Sequence, residues 1–197
     1  MTEAPIFKST MQAIQVSYLL AALPASEKGN TQSIIEWMRD KAGKPEPEIP
    51  EELRKVNFSG LTRQEVRGQC ALVRSAVERM CMAPEIHALR LKFANDATKA
   101  DAVRYFADYL PDGAFTSRDL KTHVLWYLFM EQRTRDKYGL SLRAFEGQYG
   151  MDHVAIQREC VKISRTTNGL RDQGAKRIDA YLIAKGVVGA EQLTNTA

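Results

Sequence analysis

The sequence predicts an all-α protein, a multi-helix domain with a C-terminal helix-turn-helix and a long last helix. Three observations carry this. Apolar residues recur at helical spacing, and no stretch of any length alternates apolar and polar as a half-buried strand does. A cap, a short apolar stripe, a glycine and a second cap follow one another between Ser141 and Asp152. Beyond them Ile156, Cys160, Ile163, Thr167, Leu170 and Gly174 are spaced 4-3-4-3-4, and Ile178, Tyr181 and Leu182 extend the stripe.

Residues 1–42 read as a short arm, residues 1–9, followed by a pair of helices. The first spans Thr10–Ala22, with Met11, Ile14, Tyr18 and Leu19 on one face, and ends before Leu23-Pro24 because a residue preceding proline avoids the helical region. The second spans Gln32–Lys41 and carries Trp37 as a core or interface anchor. Residues 43–60 form a linker: Lys44-Pro-Glu-Pro-Glu-Ile-Pro-Glu-Glu52 combines three prolines with four acids and favours an extended chain. Phe58 is placed to dock back.

Residues 61–138 read as a central helical body. Thr62-Arg-Gln-Glu65 is a capping box for a helix running to Met80, with Val66, Leu72, Val73, Ala76, Val77 and Met80 apolar and Arg63, Arg67, Arg74 and Arg79 mostly on the other side. Pro84 opens a helix to Phe93 with Ile86, Leu89 and Phe93 as its stripe. Asp96–Leu110 follows, with Val103, Phe106, Ala107 and Leu110 inward, then a Pro111-Asp-Gly113 turn. Thr116 or Ser117 caps a helix from Arg118 to Lys137, whose middle, Val124–Met130, is apolar nearly all round and belongs in the core. His87 and His123 lack partners at ligand spacing and read as structural.

Residues 139–186 hold the helix-turn-helix and the long last helix. Ser141 caps the first helix, where Leu142, Phe145 and Tyr149 share a face; Gly150 ends it, and Asp152 caps the next. In such a motif the second helix enters the DNA major groove, and its first residues reach base edges. Here these are His153, Val154, Ala155, Gln157 and Arg158, with Arg143, Lys162 and Arg165 placed for phosphate. Arg pairs with guanine, Gln with adenine, and Ala or Val meets a thymine methyl. The seam over 156–182 suits packing within the chain or the core of a homodimer. Asn168-Gly169 is a candidate break, Lys185-Gly186 ends the helix, and residues 187–197 form a tail.

Charge is distributed to match. The net is +4, yet residues 132–185 hold 11 Lys and Arg against 6 Asp and Glu, while the rest hold 17 against 18. The whole positive excess lies with the helix-turn-helix, as an electrostatic footprint for phosphate requires. No apolar run approaches the length of a membrane helix, and the N-terminus lacks the pattern of a signal peptide, so a cytoplasmic protein is expected. Cys70, Cys81 and Cys160 are odd in number and lack C-x-x-C spacing, which argues against a disulfide framework or a zinc site. No phosphate-cradling loop, dinucleotide fingerprint, serine elbow or Cys–His pairing stands out, so neither an enzyme nor a cofactor is expected.

Phe7-Lys-Ser-Thr-Met-Gln-Ala-Ile-Gln-Val-Ser-Tyr18, Asn57-Phe-Ser-Gly-Leu-Thr-Arg-Gln-Glu-Val-Arg-Gly-Gln-Cys70 and Gly139-Leu-Ser-Leu-Arg143 resemble stretches of proteins encoded by bacteriophages and prophages of proteobacteria. The helix-turn-helix with its long following helix also resembles the DNA-binding end of a sigma factor and phage late-gene regulators of the antitermination type. The resemblance implies a transcription regulator whose C-terminal part binds double-stranded DNA through the residues named above. Its N-terminal part would meet RNA polymerase or a second subunit. The alternative is a helical protein-interaction or phage assembly module that does not bind DNA.

Overall fold

The structure is a computed structural model describing residues 5–22, 56, 58, 61–95, 97–111, 113, 115 and 117–189. Eight helices lie among them: α1 (Thr10–Ala22), α2 (Arg63–Met80), α3 (Ala83–Phe93), α4 (Ala97–Tyr109), α5 (Arg118–Phe129), α6 (Gln132–Lys137), α7 (Leu142–Tyr149) and α8 (His153–Ala184). No strand occurs among the described residues; one isolated parallel bridge joins Phe7 to Val188. The fold is all-α, as the periodicity predicts. The expected helix Gln32–Lys41 with Trp37, the linker apart from Val56 and Phe58, and residues 190–197 lie outside the described residues.

The chain divides into two compact units, the first Met1–Met82, Phe93–Asn95 and Gln173–Ala197, the second Ala83–Lys92 and Asp96–Asp172. The expected central body 61–138 thus contributes α2 to the first unit and most of α3, with α4, α5 and α6, to the second. Residues 153–172 of α8 belong to the second unit and 173–184 to the first.

In the first unit α1 packs against α2. Ser9 Oγ accepts from Gln12 N–H and starts α1. The sequence assigns α1 one apolar face, but Ala13, Ile14, Val16, Ser17, Tyr18, Leu19 and Leu20 are all buried, and Ser17 meets the cost of burial by donating to Ala13 O at 2.6 Å. The capping box of α2 is formed as predicted. Thr62 Oγ1 accepts from Glu65 N–H, and Glu65 Oε2 accepts from Thr62 N–H. Of the predicted apolar set, Val66, Val73, Ala76 and Val77 are buried, but Met80 is exposed.

The expected arm is not loose at its end. Phe7 is fully buried and its ring stands edge-on to Phe58, 6.2 Å between centroids, so Phe58 does dock back. Phe7 N–H donates to Val187 O, Gly189 N–H donates to Phe7 O, and Val187 and Val188 are buried rather than forming the start of a tail. Thr10 Oγ1 donates to Asp179 of α8. Gly186, at φ +68, closes α8 with Gly186 N–H on Ile183 O and Val187 N–H on Leu182 O, the paired bonds of a left-handed cap.

The second unit has its own core, in which Phe106, Leu120, Val124, Leu125, Phe145 and Ile156 lie at 2% exposure or less. α4 packs on α5, and Arg118 grips Asp108 with two bonds, holding the carboxyl of Asp108 below its ordinary range. The α3 stripe differs from the one predicted. Leu89 is buried, but Ile86 and Phe93 are only half-buried, while Glu85, Ala88 and Leu91 are inside. A helix buried over so wide an arc has no single stripe to read.

The predicted helix Arg118–Lys137 is two helices. Met130 turns extended, φ −94 and ψ 149, with its N–H still on Trp126 O. The carbonyls freed at the end of α5 find cationic donors: Arg135 Nη1 on Tyr127 O at 3.2 Å and Lys99 Nζ on Phe129 O at 2.9 Å. In contrast α8 runs unbroken through Asn168-Gly169. Thr167 Oγ1 donates back to Ile163 O there. Its seam residues Ile156, Cys160, Ile163, Thr167, Gly174, Ile178 and Leu182 are buried within the single chain.

Candidate nucleic-acid interface

The turn between α7 and α8 is built from local signals. Ser141 Oγ accepts from Ala144 N–H at 3.1 Å. Phe145 is buried, Leu142 and Tyr149 pack against the same core, and Tyr149 Oη lies 2.6 Å from His123 Nδ1 on α5. Burial, then the charge of Asp119, pushes the Tyr149 phenol above its ordinary pKa. Gly150 takes φ +64 with its N–H on Glu146 O. That conformation costs a Cβ-bearing residue roughly 1–2 kcal/mol, which is why a glycine stands there. Met151 is half-buried against the core, and Asp152 Oδ1 accepts from Val154 N–H at 3.3 Å, starting α8.

Successive residues of a helix turn by about 100°. The 4-3-4 spacing of Val154, Arg158, Val161 and Arg165 therefore sets these four on one face, and all four are exposed. The buried stripe Ile156, Cys160, Ile163 and Thr167 occupies the opposite side. Gln157 is exposed on one flank of the outward face, and Lys162 on the other. Ala155 is half-buried at the edge of the face, on the same flank as Lys162. His153, Val154, Ala155, Gln157 and Arg158 together span too wide an arc of the helix for one surface, so the five do not all face the same way.

The charges differ among the predicted contacts. Arg143, Arg158 and Arg165 are exposed and carry no ion pair among the described residues. Lys162 Nζ is paired with Glu159, whose side chain is only 14% exposed. The Lys162 side chain is itself 69% exposed, so the pair adds little to stability. His153 is drawn into the turn. Its Nδ1 lies 3.4 Å from Asp152 Oδ1 and 3.8 Å from Glu146 Oε2. Glu146, Asp152 and His153 each place one ligand atom within 4.8 Å of the others, a spacing that suits a metal ion. All three donors are exposed, and Asp152 is already engaged as the cap. Two carboxylates make the very start of α8 unfavourable for an anion, and the first cation on the outward face without an ion pair among the described residues is Arg158.

A shallow groove of about 310 Å³ flanks this face, lined by Tyr127 and Leu128 of α5, Leu142 of α7, and Gln157, Val161 and Arg165 of α8. Val161, 45% exposed, is the member of the face that the sequence reading passed over. The signal was present: Val161 continues the spacing from Val154 through Arg158 to Arg165. The other predicted structural histidine, His87, stacks on Tyr105 at 4.0 Å. Trp126 is half-buried against the core of the second unit. No helix among the described residues is long and apolar enough to cross a membrane. No family model matches the chain, and no curated protein matches it.

Proposed function

We propose that the chain is a non-enzymatic, sequence-specific DNA-binding transcription regulator that sets α8 into the major groove, with α7 and the Gly150 turn as the first part of the motif. The observation that carries the reading is the exposed face Val154, Arg158, Val161 and Arg165, where cations without carboxylate partners alternate with apolar side chains. A merely solvated face has no need of two valines, and a merely apolar docking face has no need of two unpaired arginines. Arg143 and Arg165 hold phosphates and set the register, while Arg158 and Gln157 read base edges. Lys162 joins the phosphate contacts once released from Glu159. The resemblance to phage regulators adds the setting: late or prophage genes, with RNA polymerase as the protein partner.

The test is duplex-DNA binding by the full chain across a range of salt concentrations, with an Arg158→Ala/Arg165→Ala variant alongside. The logarithm of the binding constant falls with the logarithm of salt by about 0.9 per phosphate neutralised. A slope of several units that shrinks in the variant supports the reading. A flat slope, or one the variant leaves unchanged, refutes it and turns attention to a protein partner for the same face.

A further inference from the structure

Six large hydrophobic side chains are exposed among the described residues, and Val154 and Val161, 38% and 45% exposed, are the one pair that shares a helix face. They lie seven residues apart, which is two turns or about 10.5 Å along α8. Arg158 stands between them and Arg165 one turn beyond, both without ion pairs among the described residues. The occupant of this face must therefore match apolar and cationic groups in alternation. A valine has no hydrogen-bonding atom. On a helix set into the major groove, the base-edge feature it matches is the 5-methyl group of thymine. Arginine in the same groove pairs with the two acceptors of guanine.

We propose that Val154 and Val161 are specificity-determining residues, each seated on the methyl group of a thymine. The target then carries two thymines no more than about three base steps apart, at 3.4 Å per step, with the guanine read by Arg158 between them. The inference rests on the DNA-binding reading above and goes beyond it in stating what the target contains. It also separates Val154 from its neighbour Ala155, which is half-buried at the edge of the face and reads nothing.

The experiment selects the tightest-bound duplex from a random-sequence pool with the full chain, then replaces each thymine singly by deoxyuridine, which lacks only the methyl group. Two positions are expected to lose about fourfold in affinity, the worth of one methylene-sized group removed from water. Val154→Ser abolishes the sensitivity at one position and Val161→Ser at the other, since serine offers the methyl no apolar partner. Both side chains are exposed, so the variants keep the fold, which circular dichroism verifies. Equal binding of every uracil-substituted duplex, or sensitivities that persist in both variants, overturns the proposal alone. Absence of salt-dependent binding to any duplex overturns the DNA-binding reading and this proposal with it.

Discussion

Tyr149 Oη and His123 Nδ1 lie 2.6 Å apart and tie the last residue of α7 to the middle of α5. His123 also stacks parallel to Phe145, with centroids 6.1 Å apart and 5° between the rings. The helix before the turn is thus tied to α5 by one hydrogen bond and by ring contacts of Phe145 and Tyr149 with His123 and of Phe145 with Tyr127. Tyr149→Phe keeps the ring and removes the bond, and is expected to lower stability by about 1 kcal/mol. Phe145→Ala removes a buried ring and is expected to cost about 3–5 kcal/mol. Urea unfolding at neutral pH reads both, and equal losses from the two would show that the hydrogen bond, and not the ring, holds α7.

Gly147 and Gly150 lie three residues apart and respond to alanine with opposite sign. Gly147 is inside α7, and a Cβ there meets nothing within 4 Å. Gly147→Ala stabilises by up to about 1 kcal/mol. Gly150 also has open space, but its φ is +64. Gly150→Ala destabilises by about 1–2 kcal/mol through backbone strain alone. Thermal unfolding of the two variants provides the comparison.

The capping box of α2 makes stability depend on pH. Hydrogen bonds from the Thr62 hydroxyl and then the Thr62 backbone lower the Glu65 carboxyl below its ordinary 4.5. A depressed folded-state pKa means that the contribution is full above the unfolded value and is lost as pH falls through the folded one. The stability difference between wild type and Glu65→Ala is therefore present at neutral pH and disappears in acid below the carboxylate range. Denaturant midpoints measured across that range follow it, and a difference that persists in acid would assign the effect to helix propensity. Thr62→Ala loses about 1 kcal/mol at neutral pH.

On the proposed DNA-binding reading, variants of the α8 face and of Arg143 are expected to divide by role. Arg158→Ala is expected to cost about 1–3 kcal/mol and to relax discrimination at one base pair. Arg143→Ala and Arg165→Ala weaken all sequences alike and reduce the salt slope by about 1 each. Lys162→Ala has the smallest effect of the four, because its ammonium must first leave Glu159. Titrations on matched and mismatched duplexes distinguish these outcomes, and equal losses from all four on every sequence contradict the division.

The three thiols react in a fixed order. Cys81 is half-buried, with its Sγ 3.4 Å from Gly174 O. Cys70 and Cys160 are buried. Burial raises the Cys160 thiol to about 11 and moves that of Cys70 upward as well. A disulfide reagent at neutral pH should modify Cys81 first, and the other two only at the rate of unfolding. Early loss of the Cys160 thiol would mean that the core of the second unit opens beside the candidate interface.

Features that depend on a few neighbouring residues were legible in the sequence. The capping box at Thr62 and Glu65, the caps at Ser117, Ser141 and Asp152, and the glycine stops at Gly150 and Gly186 all stand where the spacing puts them. Each is closed by hydrogen bonds spanning six residues or fewer, so the partners are fixed by the local chain. The buried seam of α8 was equally visible, because one side of a regular helix repeats whatever it packs against. Only the tertiary structure decided the rest. The break at Met130 has no glycine or proline to announce it, and the carbonyls it frees are met by Lys99 and Arg135. Phe7 gains its burial beside residues about 180 positions away, Val187 and Val188. The division of residues 153–165 into exposed, ion-paired and buried side chains also required the structure. Composition names the polar and cationic side chains of this stretch, but burial and pairing with neighbours such as Glu159 and Asp152 depend on how the helices pack and determine which remain exposed and unpaired.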